Sequence, residues 1–416
     1  MSFTRAPMSP GLVVLVLSLL LGFQPIATDL YLPALPAITQ GFAASMPQAQ
    51  LTLTAMLLAF GVSQLAWGPI SDRYGRRPVL LWGAGAYVLA ALGGVFAGSM
   101  EALIGWRILQ GMAMGAAVMC ARAIVRDLYT PVDGARMMSK GLTGLGMLAC
   151  TSAPIGGALA QAFGWRATVS ALAVYGAVVL GVLAWRFQET LPARNPKALQ
   201  PLEMARIWWG ILQHPTFWTF TLLATATYAG LFTFLATSPF VFIQVLGLSK
   251  TQYGLLMFSM SATYILGTLL CRYWIPRLGV RRTVAVGAAF SLAGGSGMAL
   301  TAWLGWHSLW AIMGPFYAFI LAHGIHQPCG QSGAVSPFPQ AAGAASAMSG
   351  FLMMLVAFFM GDWLGRQMPA DGSGSVQALA QGLWLWSLVI ALAGWTIVQR
   401  YGELRTPPQR TVSSGA

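Results

Sequence analysis

Asp29 and Arg107 are the residues of this chain best placed to do chemistry, because each is a formal charge set within a long apolar run. Asp29 lies in Ala27-Thr28-Asp29-Leu30-Tyr31-Leu32-Pro33. A charge inside a lipid-spanning segment costs about 2.5–3.5 kcal/mol on insertion scales, so its retention points to a function. A carboxylate withdrawn from water can also exchange a proton near neutral pH, as a proton carrier must. The competing reading is a helix end at the outer interface, since Pro25 interrupts the run and Pro33 closes it. Arg107 stands three residues before Gln110 in Trp106-Arg107-Ile108-Leu109-Gln110-Gly111, on the same helix face. There it is poised to sense the protonation state of Asp29, unless it snorkels to the interface beside Glu101. Arg122 follows about four turns later on broadly the same face, at the inner end of the same cavity.

Other polar and aromatic residues are candidates for the wall of that cavity. His323, His326, Gln327 and Gln331 share one apolar segment and either line the cavity or pack between helices; the histidines titrate near physiological pH. Tyr31, Tyr228, Phe232 and Tyr264 offer an adaptable aromatic lining, in a chain whose 12% aromatic content supplies rings everywhere. Asp362 and Arg366 read as a structural i, i+4 pair. The sequence contains no G-x-x-x-x-G-K-[ST] and no His, Asp or Glu cluster at ligand spacing. ATP hydrolysis and membrane-embedded enzyme chemistry are therefore not expected, nor is a cofactor; protons are the expected coupling ion. Cys120, Cys150, Cys271 and Cys329 lie in apolar runs without CxxC spacing and read as packing residues.

The elements that must hold these residues are membrane helices. Of 416 residues, 57% are apolar and 8% are charged, about a third of the charge usual in soluble domains. Apolar segments of about 20 residues, the length needed to cross about 30 Å of hydrocarbon, recur twelve times. They fall near 11–31, 49–69, 79–97, 102–125, 137–160 and 167–187, then near 217–243, 253–274, 283–304, 309–331, 344–364 and 379–398. The first run reads as a retained span rather than a removable leader, for want of a small-residue cleavage site. The expected organisation is an N-terminal bundle (1–187), a polar connector (188–210), a second bundle (211–400) and a tail (401–416).

The net charge of +13 does not gather on one segment, so a nucleic-acid partner is not expected. The basic residues fall in alternate loops. Arg5, Arg73, Arg76, Arg77, Arg126, Arg136, Lys140, Arg186, Arg194, Lys197, Arg206, Arg277, Arg281, Arg282, Arg400, Arg405 and Arg410 collect on one side, against Arg166, Lys250 and Arg366 on the other. The positive-inside rule puts the first group, with both termini, in the cytoplasm.

Gly68-Pro69-Ile70-Ser71-Asp72-Arg73-Tyr74-Gly75-Arg76-Arg77-Pro78 joins the second and third spans. Gly68 permits close helix approach and Gly75 a turn at positive φ. Asp72 is the informative residue. A positive-inside loop needs no carboxylate, whereas one among arginines makes a charge-paired latch, with Asp127 beside Arg126 as a further member. Leu278-Gly279-Val280-Arg281-Arg282 repeats the turn half a chain later, with Pro276 in place of Asp72.

Gly68, Asp72, Arg73, Gly75 and Arg76 resemble motif A of the major facilitator superfamily, and Arg107 resembles its motif B arginine. Ala153-Pro154-Ile155-Gly156-Gly157 resembles the antiporter motif C, departing from it in the alanine before Pro154 and in one residue fewer before Gly156. Thr28 to Pro36, Arg122 to Leu128, Ala236-Thr237-Ser238-Pro239-Phe240 and Ser336-Pro337-Phe338-Pro339 resemble the exporters of bicyclomycin and chloramphenicol. The resemblance implies an all-α integral membrane fold of twelve helices in two pseudo-symmetric six-helix bundles. It implies a monomer in the inner membrane that exports lipophilic small molecules against protons. The motif A loop is then expected to hold the two half-bundles together in the outward-facing state. A proton-coupled importer and a non-transporting sensor are the rival readings.

Overall fold

The computed structural model describes residues 8–196, 198–368 and 374–402. Arg5, Lys197, Arg405, Arg410 and all but the first two residues of the 401–416 tail lie outside the described residues.

The described chain is helical throughout, as lipid requires: without water, each backbone N–H and C=O must be satisfied inside its own segment. The first bundle comprises α1 (Pro10–Asp29), α2 (Leu35–Gly41), α3 (Met46–Tyr74), α4 (Arg76–Val95), α5 (Met100–Leu128), α6 (Pro131–Phe163) and α7 (Trp165–Arg186). A helix within the connector, α8 (Pro201–Leu212), precedes the second bundle: α9 (Pro215–Pro239), α10 (Lys250–Trp303), α11 (Leu309–Val335), α12 (Ala342–Gln367), α13 (Ser375–Leu392) and the short α14 (Val398–Tyr401).

Among the described residues eleven helical stretches are long and apolar enough to cross a membrane. α10, at 54 residues, is far longer than one crossing allows. It breaks at Gly279, where φ is +73°, and so supplies two crossings, giving twelve in all. Gly75 holds the equivalent turn at φ +106°. The repeat extends to the opposite end of the molecule. Ser45 with Gln48 and Ser249 with Gln252 form matching capping boxes at the starts of α3 and α10.

Within the first bundle α1 packs on α6, α3 on α5, and α4 on α5 and α7. The second bundle pairs α9 with α12, and the two arms of α10 with α11 and α13, in the same order. The bundles meet through α3 against α12 and α6 against α10.

The motif glycines differ in what they do. Gly75 needs its positive φ, and a Cβ there would also strike the Glu189 carboxylate. Gly68, expected to allow close helix approach, has only the Met119 methyl near its α-carbon, at 3.5 Å from an added Cβ, so that expectation does not hold. Gly75→Ala is therefore expected to lower stability by about 1–3 kcal/mol. Gly68→Ala should leave it within about 0.5 kcal/mol. Thermal unfolding of the two purified variants in one detergent checks the contrast.

Candidate functional site

Arg107 is buried in the first bundle, 2% exposed, and three helices converge on it. Its Nε donates to the Thr52 carbonyl of α3 (3.2 Å), Nη1 to Gln110 Oε1 of α5 (2.7 Å) and Nη2 to the Ala27 carbonyl of α1 (3.0 Å). The Tyr31 ring lies against the guanidinium, 4.2 Å from its centroid to Cζ. Carbonyls, an amide and a π-face thus replace the water lost on burial. Arg107 does not snorkel, and it does not ion-pair with Asp29 among the described residues. It holds the backbone of α1 two residues upstream of the carboxylate.

Asp29 is the last residue of α1 and leads into a 3₁₀ turn, Leu32–Ala34. Protein surrounds it, yet it keeps some accessible surface and makes no ion pair or hydrogen bond among the described residues. The 3₁₀ turn that follows it packs against α6 of its own bundle and against α9 and α10 of the second, so this helix end lies beside the other half.

A cavity of about 210 Å³ lies between the two bundles. Four expected residues line it: Arg122, Tyr228, Gln327 and Gln331. Gln24, Gln64, Ser346, Ser349 and Met353 line it as well, and no signal in the sequence singles them out. Arg122 Nη1 donates across the cavity to Ser346 Oγ on α12.

Tyr31, Gln110, Phe232, Tyr264 and His323 are not among the lining residues. Tyr31 and Gln110 hold Arg107 instead, and Phe232 is fully buried in the second bundle. His323 accepts from or donates to Thr227 Oγ1 at 3.0 Å beneath the Tyr264 ring, and His326 faces the Val284 carbonyl at 3.2 Å. Both histidines therefore sit inside the second bundle rather than on the cavity wall. Asp362 and Arg366 form the expected pair at 2.9 Å. Cys271 and Cys329 face each other with sulfurs 3.7 Å apart, a contact between α10 and α11 that sequence spacing does not reveal.

The loop at Gly75 carries a charge network centred on Arg76, whose side chain is 1% exposed. Arg76 pairs with Asp72 (2.7 Å) and Asp127 (2.9 Å), and Arg126 lies 3.6 Å from Asp72. Glu189 accepts from the N–H groups of Arg76 (2.8 Å) and Arg77 (3.0 Å), capping the start of α4. The Asp72 carbonyl accepts from Asn195 N at 2.9 Å. These contacts tie α3, α4 and α5 to the connector, all on the first-bundle side. In this arrangement the loop's ion pairs, among the described residues, join α3, α4 and α5 of the first bundle and do not cross to the second. Arg73 is exposed, stacks only on Tyr74 and takes no part.

The halves meet at the end opposite that loop. A Cβ at Gly157 would strike the Lys250 carbonyl at the start of α10 in the second bundle, while one at Gly156 would strike the Leu30 carbonyl of the α1 extension within the first. Pro154 lies against Gly254 of α10. Lys250 Nζ donates to the Ala160 carbonyl at 3.2 Å, and Gln50 Nε2 to the Ala236 carbonyl at 2.9 Å. Small residues thus let α6 seal against the other bundle. Toward the arginine loops no residue of 142–151 is buried, and the cavity lies on that side.

Two helical bundles with a sealed end and a cavity between them define a membrane carrier of small solutes. The chain belongs to the major facilitator superfamily, whose family model matches residues 17–361. It is 30% identical over 397 residues to multidrug resistance protein D of Escherichia coli K12, covering 95% of this chain and 98% of that one. It is 30% identical over 327 residues to a chloramphenicol resistance protein of Pseudomonas aeruginosa, covering 77% and 75%. Among solved structures, a bacterial homologue of the human lysosomal transporter Spinster, inward-facing and occupied, superposes with a TM-score of 0.74 at 16% identity over 97% of this chain and all of that one. The chain is thus a multi-pass membrane protein of a transporter family.

Removing Arg76 leaves Asp127, 6% exposed, without its principal partner. Arg76→Ala is expected to cost about 3–5 kcal/mol. Arg73→Ala should cost less than about 0.5 kcal/mol. Denaturation of both variants in matched detergent distinguishes the buried member of the loop from the solvated one.

Proposed function

We propose that this protein exports lipophilic small molecules, drugs among them, in exchange for protons by alternating access. The observation that carries the reading is the cavity between two bundles, sealed at one end, in a chain that aligns almost end to end with a multidrug resistance protein. The chloramphenicol resistance relative supports the same substrate range.

By the positive-inside rule the arginine-rich loops support a cytoplasmic position for the open end of the cavity and for both termini, with the chain in the inner membrane. The arrangement described is then inward-facing, with the Gly156–Gly157 contact closing the outer end. Asp29, unpaired and near that closure, is the proton carrier in this reading. Arg107 is its transmitter, because the guanidinium grips the α1 carbonyl at Ala27 and would feel any movement of the helix end. One proton entering across 100 mV releases about 2.3 kcal/mol, enough for about a fortyfold solute gradient. The protein works as a monomer without a bound cofactor.

The test is chloramphenicol accumulation in everted vesicles energised by a proton gradient, with matched expression of each form. The parent protein should accumulate the drug and discharge the gradient, whereas Asp29→Asn should insert normally and do neither. Undiminished export by Asp29→Asn would remove that carboxylate from the coupling, and no accumulation by the parent would defeat the export reading.

A further inference from the structure

We propose that the cavity selects neutral or anionic solutes rich in hydrogen-bonding groups and rejects lipophilic cations, with Arg122 the selecting residue and Gln327 the second anchor. This rests on the transport reading above and adds the chemical class of the cargo.

Arg122 is the single formal charge among the residues that line the cavity. No carboxylate lines it, and Asp29 lies outside the lining. The Arg122 guanidinium makes no ion pair among the described residues; its partner is the neutral hydroxyl of Ser346. A cation entering this space meets an uncompensated like charge where the surrounding protein screens poorly. A carbonyl, carboxylate or phosphate oxygen instead gains a charge-assisted hydrogen bond.

Gln327 supplies the complementary half. It lines the same cavity, is 8% exposed, and its buried Oε1 has no hydrogen-bond partner among the described residues. Its Nε2 reaches only the sulfur of Met353, at 3.5 Å. A buried acceptor left unsatisfied is costly, and a solute hydroxyl or amide N–H removes that cost. The cargo therefore carries an acceptor for Arg122 and a donor for Gln327, on a body that fits among Phe60, Val118 and Met354.

The Arg122–Ser346 bond joins α5 to α12, hence one bundle to the other. A solute oxygen that takes the guanidinium takes it from Ser346. Capture of cargo and loosening of that bridge are then one exchange of hydrogen bonds.

The test uses the full-length protein in detergent and a matched series of ligands with one phenylpropyl tail and a carboxamide, carboxylate or trimethylammonium head. Direct binding should rank the carboxamide and carboxylate at least about tenfold above the trimethylammonium compound. Arg122→Gln should weaken carboxamide binding about ten- to a hundredfold and erase the discrimination against the cation. Ser346→Ala, which removes the bridge but keeps the charge, should preserve the ranking. Equal or tighter binding of the cation by the parent protein overturns the proposal, as does absence of binding by every member or a ranking unchanged in Arg122→Gln. The parent ranking decides the matter even where the arginine variant does not fold. If the ranking holds while vesicles accumulate no chloramphenicol, the export reading falls and the charge selection stands.

Discussion

A guanidinium buried without a carboxylate, Arg107, is the interaction around which the first bundle is arranged. Burial of a charge is tolerated only when its donors are satisfied, and here the acceptors come from three separate helices. α1, α3 and α5 cannot shift independently while all three bonds hold. The same constraint fixes the Tyr31 ring and the 3₁₀ turn beyond Asp29. The helix end that carries the isolated acid is thus mounted on a buried polar contact that three helices share.

The two ends of the molecule are built from different forces. At the Gly156–Gly157 end the halves touch backbone to backbone, where dispersion and a few amide bonds do the holding. At the other end the strong interactions are ionic and stay inside the first bundle. Close packing fails abruptly with a small displacement, whereas an ionic network within one rigid body is indifferent to that displacement. The rocking of one half against the other therefore breaks contacts of the first kind and leaves the second kind intact.

Much of this was legible in the residues. The turns at Gly75 and Gly279 and the Asp72–Arg76 and Asp362–Arg366 pairs follow from short-range spacing, which a helix or a turn converts directly into distance. The twelve crossings follow from length and apolarity. The cavity wall did not follow, and the reason is physical. Helices such as α9 and α11 spread their apolar residues over every face, because lipid and protein interior ask for the same side chains, so periodicity gives no rotational phase. Tyr264, a candidate for the wall, and His323, open between wall and packing, lie inside the bundle, while Gln24, Gln64 and Ser346 line the cavity without any pattern that marks them. Arg107 was recognised as functional, yet its partners are mainly backbone carbonyls, which every sequence possesses and none advertises.

The connector is shorter in practice than its sequence length. Its beginning is bound to the first bundle through Glu189 and Asn195, and α8 packs against α9 and α12 of the second. The stretch from Asn195 to Pro201 is left to join the two, and its six steps reach at most about 22 Å when drawn taut. The leash thus sets a ceiling on how wide the open end of the cavity can gape, and the bulk of any passenger is limited by the strap between the halves as much as by the chamber itself.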